Sequence, residues 1–547
     1  MKEQSETNSM PMKILIAGNF DGANSENPQH TKVTKDDIPN LFSQLTPKIY
    51  MRVPNKLTSD PKELNIDLIF NSMESFCPKA IAEQIDLIKD AVQIREKLKS
   101  LAEKSISIAE AKSAIADSKV AQSLITDFLA ILDEDRKSEI LKASEDIDLQ
   151  AINNAISRLD SALSAQFDEI LHNPKFQQLE STWRGLKLML DNADFPDKVH
   201  FEILNAEKEK FLKIFDEKIY QQEYDDVCEV PLSVILADYD LTQNPNDMAL
   251  LKKMAEKSQI LQVVFVSHIS PDFFGMRNIL HLVAMPDLYS RLVSPMQSEW
   301  KAFMQSQSSR WVCMTMNRFL GRNLYGQDDM TAEIFDYKEK ADAAHPDGYL
   351  WSRSMWLMGI VLANSFAKTG SCLSISGLGL GGEFMGLPTR DFPKTRTENI
   401  KISTESALVD EKVWNFLNAG ITPLNGVDNA NYAYFPLSAN AYRGGGATLH
   451  STLAYHLLIG HVFHRYYRIH QQIPSGSTAE QITQFVREKI FELITPYGGG
   501  NPEETVIINV TPVEGGSNLW TVGILVKPKL QIETKDVEFS FQLQAQV

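Results

Sequence analysis

At 547 residues the chain is longer than a single hydrophobic core can organise, so about two to four domains are expected. Apolar residues make up 43% and charged residues 23%, the balance of a globular protein that folds in water. The net charge of −17 argues against a general nucleic-acid binder, which needs clustered Lys and Arg, and against docking on an anionic membrane surface.

The opening "MKEQSETNSM" is polar and holds no secretory leader pattern. "MKILIAGNF" reads as a buried strand over 12–17 closed by a Gly-Asn turn, and "GANSENPQHTK" as a loop. "DDIPNLFSQL" reads as a short helix. "KIYMRVPN" and "ELNIDLIF" alternate polar and apolar residues, as half-buried strands do. Over 78–104 the spacing of Ile81, Ile85, Ile88, Val92 and Leu98 is helical. Residues 1–105 therefore read as a small α+β unit. Residues 106–170 read as a helical connector, in which the Ala/Ser-rich "SISIAEAKSAIADSK" is the linker candidate. A compact helix pair and a solvent-exposed connector both fit that stretch.

Residues 171–547 read as the main α/β unit. "NPKFQQLESTWRGLKLML" gathers Phe176, Leu179, Trp183, Leu186 and Leu190 on one helical face. No residue near Arg184 supplies a reaction partner, so Arg184 reads as a structural hydrogen-bond donor. "VHFEILNA", "VPLSVILADYDL" and "LQVVFVSH" read as strands, the last two separated by the helix "MALLKKMAEKSQ", which predicts a parallel layered sheet. "WSRSMWLMGIVLANSFAKTG" reads as an apolar helix stopped by Gly370; it is too short to span a bilayer and carries Asn364. "SCLSISGL" reads as a strand and "TLAYHLLIGHVFHRYYRIHQQI" as a long helix. "TVIINVTP", "WTVGILVKP" and "DVEFSFQLQ" alternate as antiparallel strands. The fold class is α/β with α+β: layered mixed sheets, a helical connector and C-terminal antiparallel strands.

Several motifs carry residue types capable of chemistry. "GLGLGGEFMG" contains GxGxxG at Gly377, Gly379 and Gly382, but a dinucleotide site needs a helix opening directly after the glycines. Gly386 and Pro388 follow instead, and a glycine-rich turn is the better reading. Asp238 and Asp240 end a strand, where a carboxylate pair can hold magnesium, act as acid and base, or cap a turn. His456, His461 and His464 share a helix, with His450 and His470 near its ends; His461 and His464 are spaced to reach one metal, yet HExxH is absent. "RGGGAT" and "YGGG" lack the Lys-Ser/Thr ending of a phosphate loop. Cys77, Cys228, Cys313 and Cys372 form no CxxC pair, and Cys313 sits in apolar sequence that makes a thiol inert. No catalytic residue, cofactor or metal site is assigned. The rival reading of a different class is a nucleotide-binding enzyme using the 377–382 glycines with Asp238.

Ordered sequence blocks resemble one family. "LSAQFDEILHNPKFQQLESTWRGLKLML", "PLSVILADYDL", "SEWKAFMQSQSSRWVCMTMNRFLGRNLYG" and "GYLWSRSMWLMGIVLANSFAKTGSCLSISGLGLGGEFMGLP" resemble, in order, the large (TssC-like, VipB-like) sheath subunit of bacterial type VI secretion systems. "KILIAGNFDG" and "LTPKIYMRVPNKLTSDPKELNIDLIFNSMESFCPKAI" resemble the small (TssB-like, VipA-like) subunit. The chain therefore resembles a fusion of two subunits usually made separately. Asn19 stands where the family has Asp, and "NRFLGRNLYG" lacks the prolines of "PRFLxRxPYG".

The resemblance implies a cytoplasmic helical homopolymer around an inner tube of hexameric rings, docked on a membrane-anchored baseplate, with a distal cap and an AAA+ recycling ATPase as further partners. The sheath of another phage-tail-like contractile particle is the nearest alternative. It also implies strand exchange between neighbours. "DVEFSFQLQAQV" suits this, with Val537, Phe539, Phe541 and Leu543 on one face; completing its own sheet is the other reading.

Overall fold

A computed structural model describes residues 10–22, 29–130, 132, 149–225, 228–327, 330–342, 346–394, 397–446, 448–470, 472–495, 500–513, 519–532 and 535–546. The polar opening residues 1–9 and most of "YGGG" lie outside them. In chain order the first elements are β1 (Met12–Gly18), β2 (His30–Val33), α1 (Ile38–Leu45), β3 (Lys48–Pro54), β4 (Glu63–Ile69), α2 (Pro78–Gln84) and α3 (Asp86–Ala102). Next come α4 (Ile108–Ile115), α5 (Lys119–Leu124), α6 (Leu149–Leu171) and α7 (Pro174–Asn192). The main body adds β5 (Val199–Asn205), β6 (Leu232–Leu241), α8 (Pro245–Leu261), β7 (Val264–Ile269), β8 (Val312–Met316), α9 (Met355–Thr369), β9 (Glu383–Met385), β10 (Ile421–Pro423), β11 (Tyr432–Tyr434) and α10 (Leu453–His470). The chain closes with α11 (Ala479–Ile494), β12 (Val506–Pro512), β13 (Leu519–Val526) and β14 (Phe539–Gln546).

A seven-stranded sheet in the order β10-β8-β7-β6-β1-β5-β2 organises the molecule. Neighbours run parallel except β2, which pairs antiparallel with β5. Successive side chains of a strand point to opposite faces, so a sheet covered on both sides needs apolar residues at every position. Here Ile14, Ile16, Val234, Leu236, Val264 and Val266 join the core under α7, α9 and α10. Leu15, Ala17, Ile235, Ala237, Phe265 and Met314 join a second core under α8.

β1 lies between β5 and β6, so the first 105 residues contribute a central strand to the main sheet as well as their own β3–β4 hairpin. The Ala/Ser-rich linker candidate forms α4, with Ala111 and Ile115 buried. Three local expectations change. The polar "HTKV" within the expected loop is the edge strand β2. The helix expected over 78–104 breaks at Ile85, whose φ of −114° and ψ of 105° are extended. "SCLSISGL" is not a strand: Gly377 N–H donates to the Phe435 carbonyl, and the Ser371 carbonyl accepts from Ser365 Oγ, so no ladder forms.

Candidate functional site

Helix α7 holds the seam between the small-subunit-like and large-subunit-like halves. Pro174 starts it, and the Asn173 side chain caps it by accepting from Lys175 N–H at 3.0 Å. Phe176, Leu179, Trp183, Leu186 and Leu190 are all buried. Phe176 meets Phe70 and Phe76 edge-on, with centroids 5.9 and 5.8 Å away. Trp183 stacks on Phe42 at 3.8 Å and donates its Nε1–H to the Phe20 carbonyl at 2.8 Å. Asn19 Oδ1 accepts from Gly22 N–H at 3.0 Å, a role the family's Asp oxygen serves equally.

The same helix carries consecutive buried polar residues. Arg184 donates to Glu180 Oε1 at 2.8 Å, and Arg322 Nε donates to the same oxygen at 2.9 Å. Arg322 also grips Glu339 with two hydrogen bonds, of 2.6 and 3.0 Å. Burial pushes the Glu339 carboxyl up, but Arg322, His172 and the Tyr325 N–H together hold it down at about 2. Thr182 Oγ1 donates to Asp238 Oδ2 at 2.6 Å, while Arg353 and Trp356 donate to Asp238 Oδ1 at 3.0 and 3.1 Å. Arg353 reaches Asp240 at 2.9 Å. Burial raises Asp240, but the charge and hydrogen bond of Arg353 together with His268 and Arg318 hold this carboxyl well below the usual range. The expected Asp238–Asp240 pair is thus clamped by one arginine, with Asp238 buried and Asp240 part-exposed.

Sequence reading missed Glu180, Arg322, Glu339 and Arg353. One signal was present: Glu180 falls on the helical face of Phe176 and Trp183, where a carboxylate needs a cation. Spacing could not name that cation. Asn317, which replaces a family proline, has φ of 70°; proline is locked near −65°, so this turn uses a conformation proline cannot adopt. The Asn317 side chain donates to the Ser406 and Leu424 carbonyls, both at 2.8 Å.

The GxGxxG glycines lead into strand β9, not a helix, so the backbone arrangement of a dinucleotide site is not built there. A Cβ on Gly382 would lie 2.4 Å from Ser376 Cα, so the last glycine serves close backbone packing. The histidines of α10 engage the protein itself. Nε2 of His456 lies 3.2 Å from the His450 carbonyl and Nε2 of His464 lies 2.8 Å from the Leu261 carbonyl. Burial pushes His456 and His461 down to about 3. Among the described residues no group of three or more His, Cys, Asp or Glu is placed to hold a metal. Burial raises Cys313 and Cys372 to about 12 and, helped by Glu223, Cys228 to about 11. Among the described residues no helix is long and apolar enough to cross a membrane.

The C-terminal sheet runs β12-β13-β14, antiparallel, with β14 at its edge. Val537 and Phe539 are buried, and Phe541 is half-buried against Tyr466 with ring centroids 5.1 Å apart. The backbone of Leu543 pairs with Val522. The described side chains of this face therefore pack on the chain's own core, and the outer edge of β14 has no partner strand among the described residues.

The fold and these sites define a protein whose buried charges hold its own architecture and whose C-terminal sheet ends on the edge strand β14. Residues 153–442, more than half of the chain, match the family described as VipB: EvpB/VC_A0108, tail sheath N-terminal domain, and the chain belongs to this family. Residues 1–127 match the family described as T6SS_VipA: Type VI secretion system, VipA, VC_A0107 or Hcp2, so one polypeptide carries segments that match both sheath-subunit families. The type VI secretion system sheath protein TssC1 of Pseudomonas aeruginosa is 33% identical over 301 residues, covering 52% of this chain and 60% of that protein. TssB1 of the same organism is 32% identical over 73 residues, covering 13% of this chain and 42% of that protein. The chain thus matches less than two thirds of the length of either relative. Among solved structures, the contracted helical sheath of the anti-feeding prophage is similar at 10% identity and a TM-score of 0.34, covering 66% of this chain and 78% of that one. The sheath tail protein Lin1278 from Listeria innocua is similar at 11% identity and a TM-score of 0.32, covering 60% and 59%.

Proposed function

We propose that this chain is the repeating subunit of a contractile type VI secretion sheath, with no catalytic role of its own. Copies polymerise helically around an inner tube of hexameric rings on the cytoplasmic side, between a membrane-anchored baseplate and a distal cap. Energy is stored at assembly in a metastable extended lattice and released as new subunit contacts form on contraction. An AAA+ recycling ATPase is a further partner that the family resemblance implies, although here the large-subunit half begins from a joined end rather than a free one.

The observation that carries this reading is the outer edge of β14, whose row of backbone donors and acceptors is a template for a strand from a neighbour. Electron microscopy of the purified chain tests it, with hollow tubes expected. Removal of residues 538–547 takes away β14, and the truncated chain is expected to stay soluble without forming tubes. Tubes from the truncated chain would remove strand pairing from the mechanism; no tubes from the full chain under any condition would overturn the sheath reading.

A further inference from the structure

The glycine-rich loop that makes no dinucleotide site is nonetheless a built feature. Gly377, Gly379 and Gly381 take φ of 85°, 69° and 95°, a left-handed region that side chains avoid. Gly382 N–H donates to the Gly377 carbonyl at 3.2 Å, and Phe435 N–H donates to the Gly382 carbonyl at 2.9 Å, closing the loop on itself and tying it to the strand region beside it. This pinned turn holds Leu378 47% exposed, Leu380 68% exposed and, on β9, Met385 68% exposed. Apolar side chains held in water on a fixed backbone mark a contact surface. Glu383 adds one carboxylate, which is in no ion pair among the described residues.

A complementary surface lies beside β2, the edge strand of the main sheet. There a groove of about 240 Å³ has an apolar floor that includes Val33, Leu190, Phe195 and Val199, and its charged lining is Lys32, Lys35 and Asp194. Lys32 stands opposite Glu202 in the β2–β5 pairing and its charge helps to lower that carboxyl's pKa, while Lys35 is in no ion pair found among the described residues. A cavity of about 150 Å³ already admits a benzene-sized group, so this one has room for leucine tips. In a chain of net charge −17 most surfaces of two copies repel, and a margin where two lysines outnumber the carboxylate of Asp194 is where an acidic loop approaches favourably.

We propose that the 377–386 loop of one copy seats in the β2 groove of a second copy, with Leu378 and Leu380 in the groove and Glu383 facing Lys32 and Lys35. The two surfaces differ, so the contact is heterologous and propagates from copy to copy, as a filament requires. The proposal takes from the sheath reading only that the partner is another copy.

The test mixes two full-length variants, Leu380→Cys and Lys35→Cys, each also carrying Cys77→Ser and Cys228→Ser to remove the half-exposed native thiols. Mild oxidation is expected to give a covalent species of twice the chain mass in the mixture and in neither variant alone. Its absence overturns the seat, whether or not tubes form. In parallel, Leu378→Asp with Leu380→Asp is expected to raise the critical concentration for tubes about tenfold or more, with the melting temperature unchanged. Wild-type tube formation by that variant also overturns the seat while leaving the sheath reading intact. Cross-linking by a chain that never forms tubes would keep the seat and sink the sheath.

Discussion

His268 and His456 are buried as neutral imidazoles, and that choice sets how the molecule meets acid. Burial pushes their pKa down to about 4 and about 3; Asp240 faces His268 and raises it, while Arg353 lowers it, and His450 and Arg310 face His456. Unfolded, each would take up a proton near 6.5. Below that pH the unfolded chain binds more protons than the folded one, so stability contributed by each neutral ring is complete above 6.5 and drains away toward its folded pKa. The slope approaches about 1.4 kcal/mol per pH unit per histidine. Glu339, held at about 2, loses its contribution only below the ordinary carboxylate value of 4.5, so the histidines govern the range from pH 7 to 5. Urea unfolding at pH 7, 6 and 5 is expected to show falling stability, with a slope shallower by about one proton in His268→Asn. An unchanged slope would place the His268 titration elsewhere. Asp238 and Asp240 were legible as a strand-end pair, but their clamp was not. Arg353 and Thr182 come from distant segments, and no local spacing encodes such a meeting.

Between elements, α7 approaches α9 tightly at Gly185. A Cβ at Gly185 would lie 2.4 Å from the ring of Trp356, which is fully buried and donates to Asp238. Gly185→Ala should gain about 1 kcal/mol of helix propensity. The clash works against it: overpacking a tight interior costs about 1–3 kcal/mol, and displacing Trp356 also loosens its hydrogen bond to Asp238. The net expectation is destabilisation by about 1–2 kcal/mol, read by denaturant titration. A neutral or stabilised variant would mean that the two helices separate freely. Periodicity revealed the face of Phe176, Leu179, Trp183 and Leu186, because burial of one stripe leaves that pattern. It left Gly185 unexplained, because a missing side chain has no periodicity. The same limit accounts for the strands: "SCLSISGL" alternates without a partner, whereas β2 is polar and exists because β5 offers it an edge.

At the scale of the whole molecule, fusion joins halves that the fold already interlocks. β1 is hydrogen-bonded along both edges, to β5 and to β6, and Trp183 of α7 is enclosed by Phe20 and Phe42. Withdrawing the first half would open a gap inside the seven-stranded sheet and expose its apolar faces to water. Strand identities here were readable because a sheet covered on both sides writes continuous apolar runs. The insertion of β1 was not readable, since strand order depends on partners far along the chain. Removal of covalent continuity should therefore cost little: loop-closure entropy changes slowly with length, while the buried seam is retained. A protease site placed between Leu132 and Leu149, once cut, is expected to leave two fragments that co-elute on size exclusion and separate only in denaturant. Separation in native buffer would show that the peptide link, rather than β1 and the aromatic seam, holds the halves together.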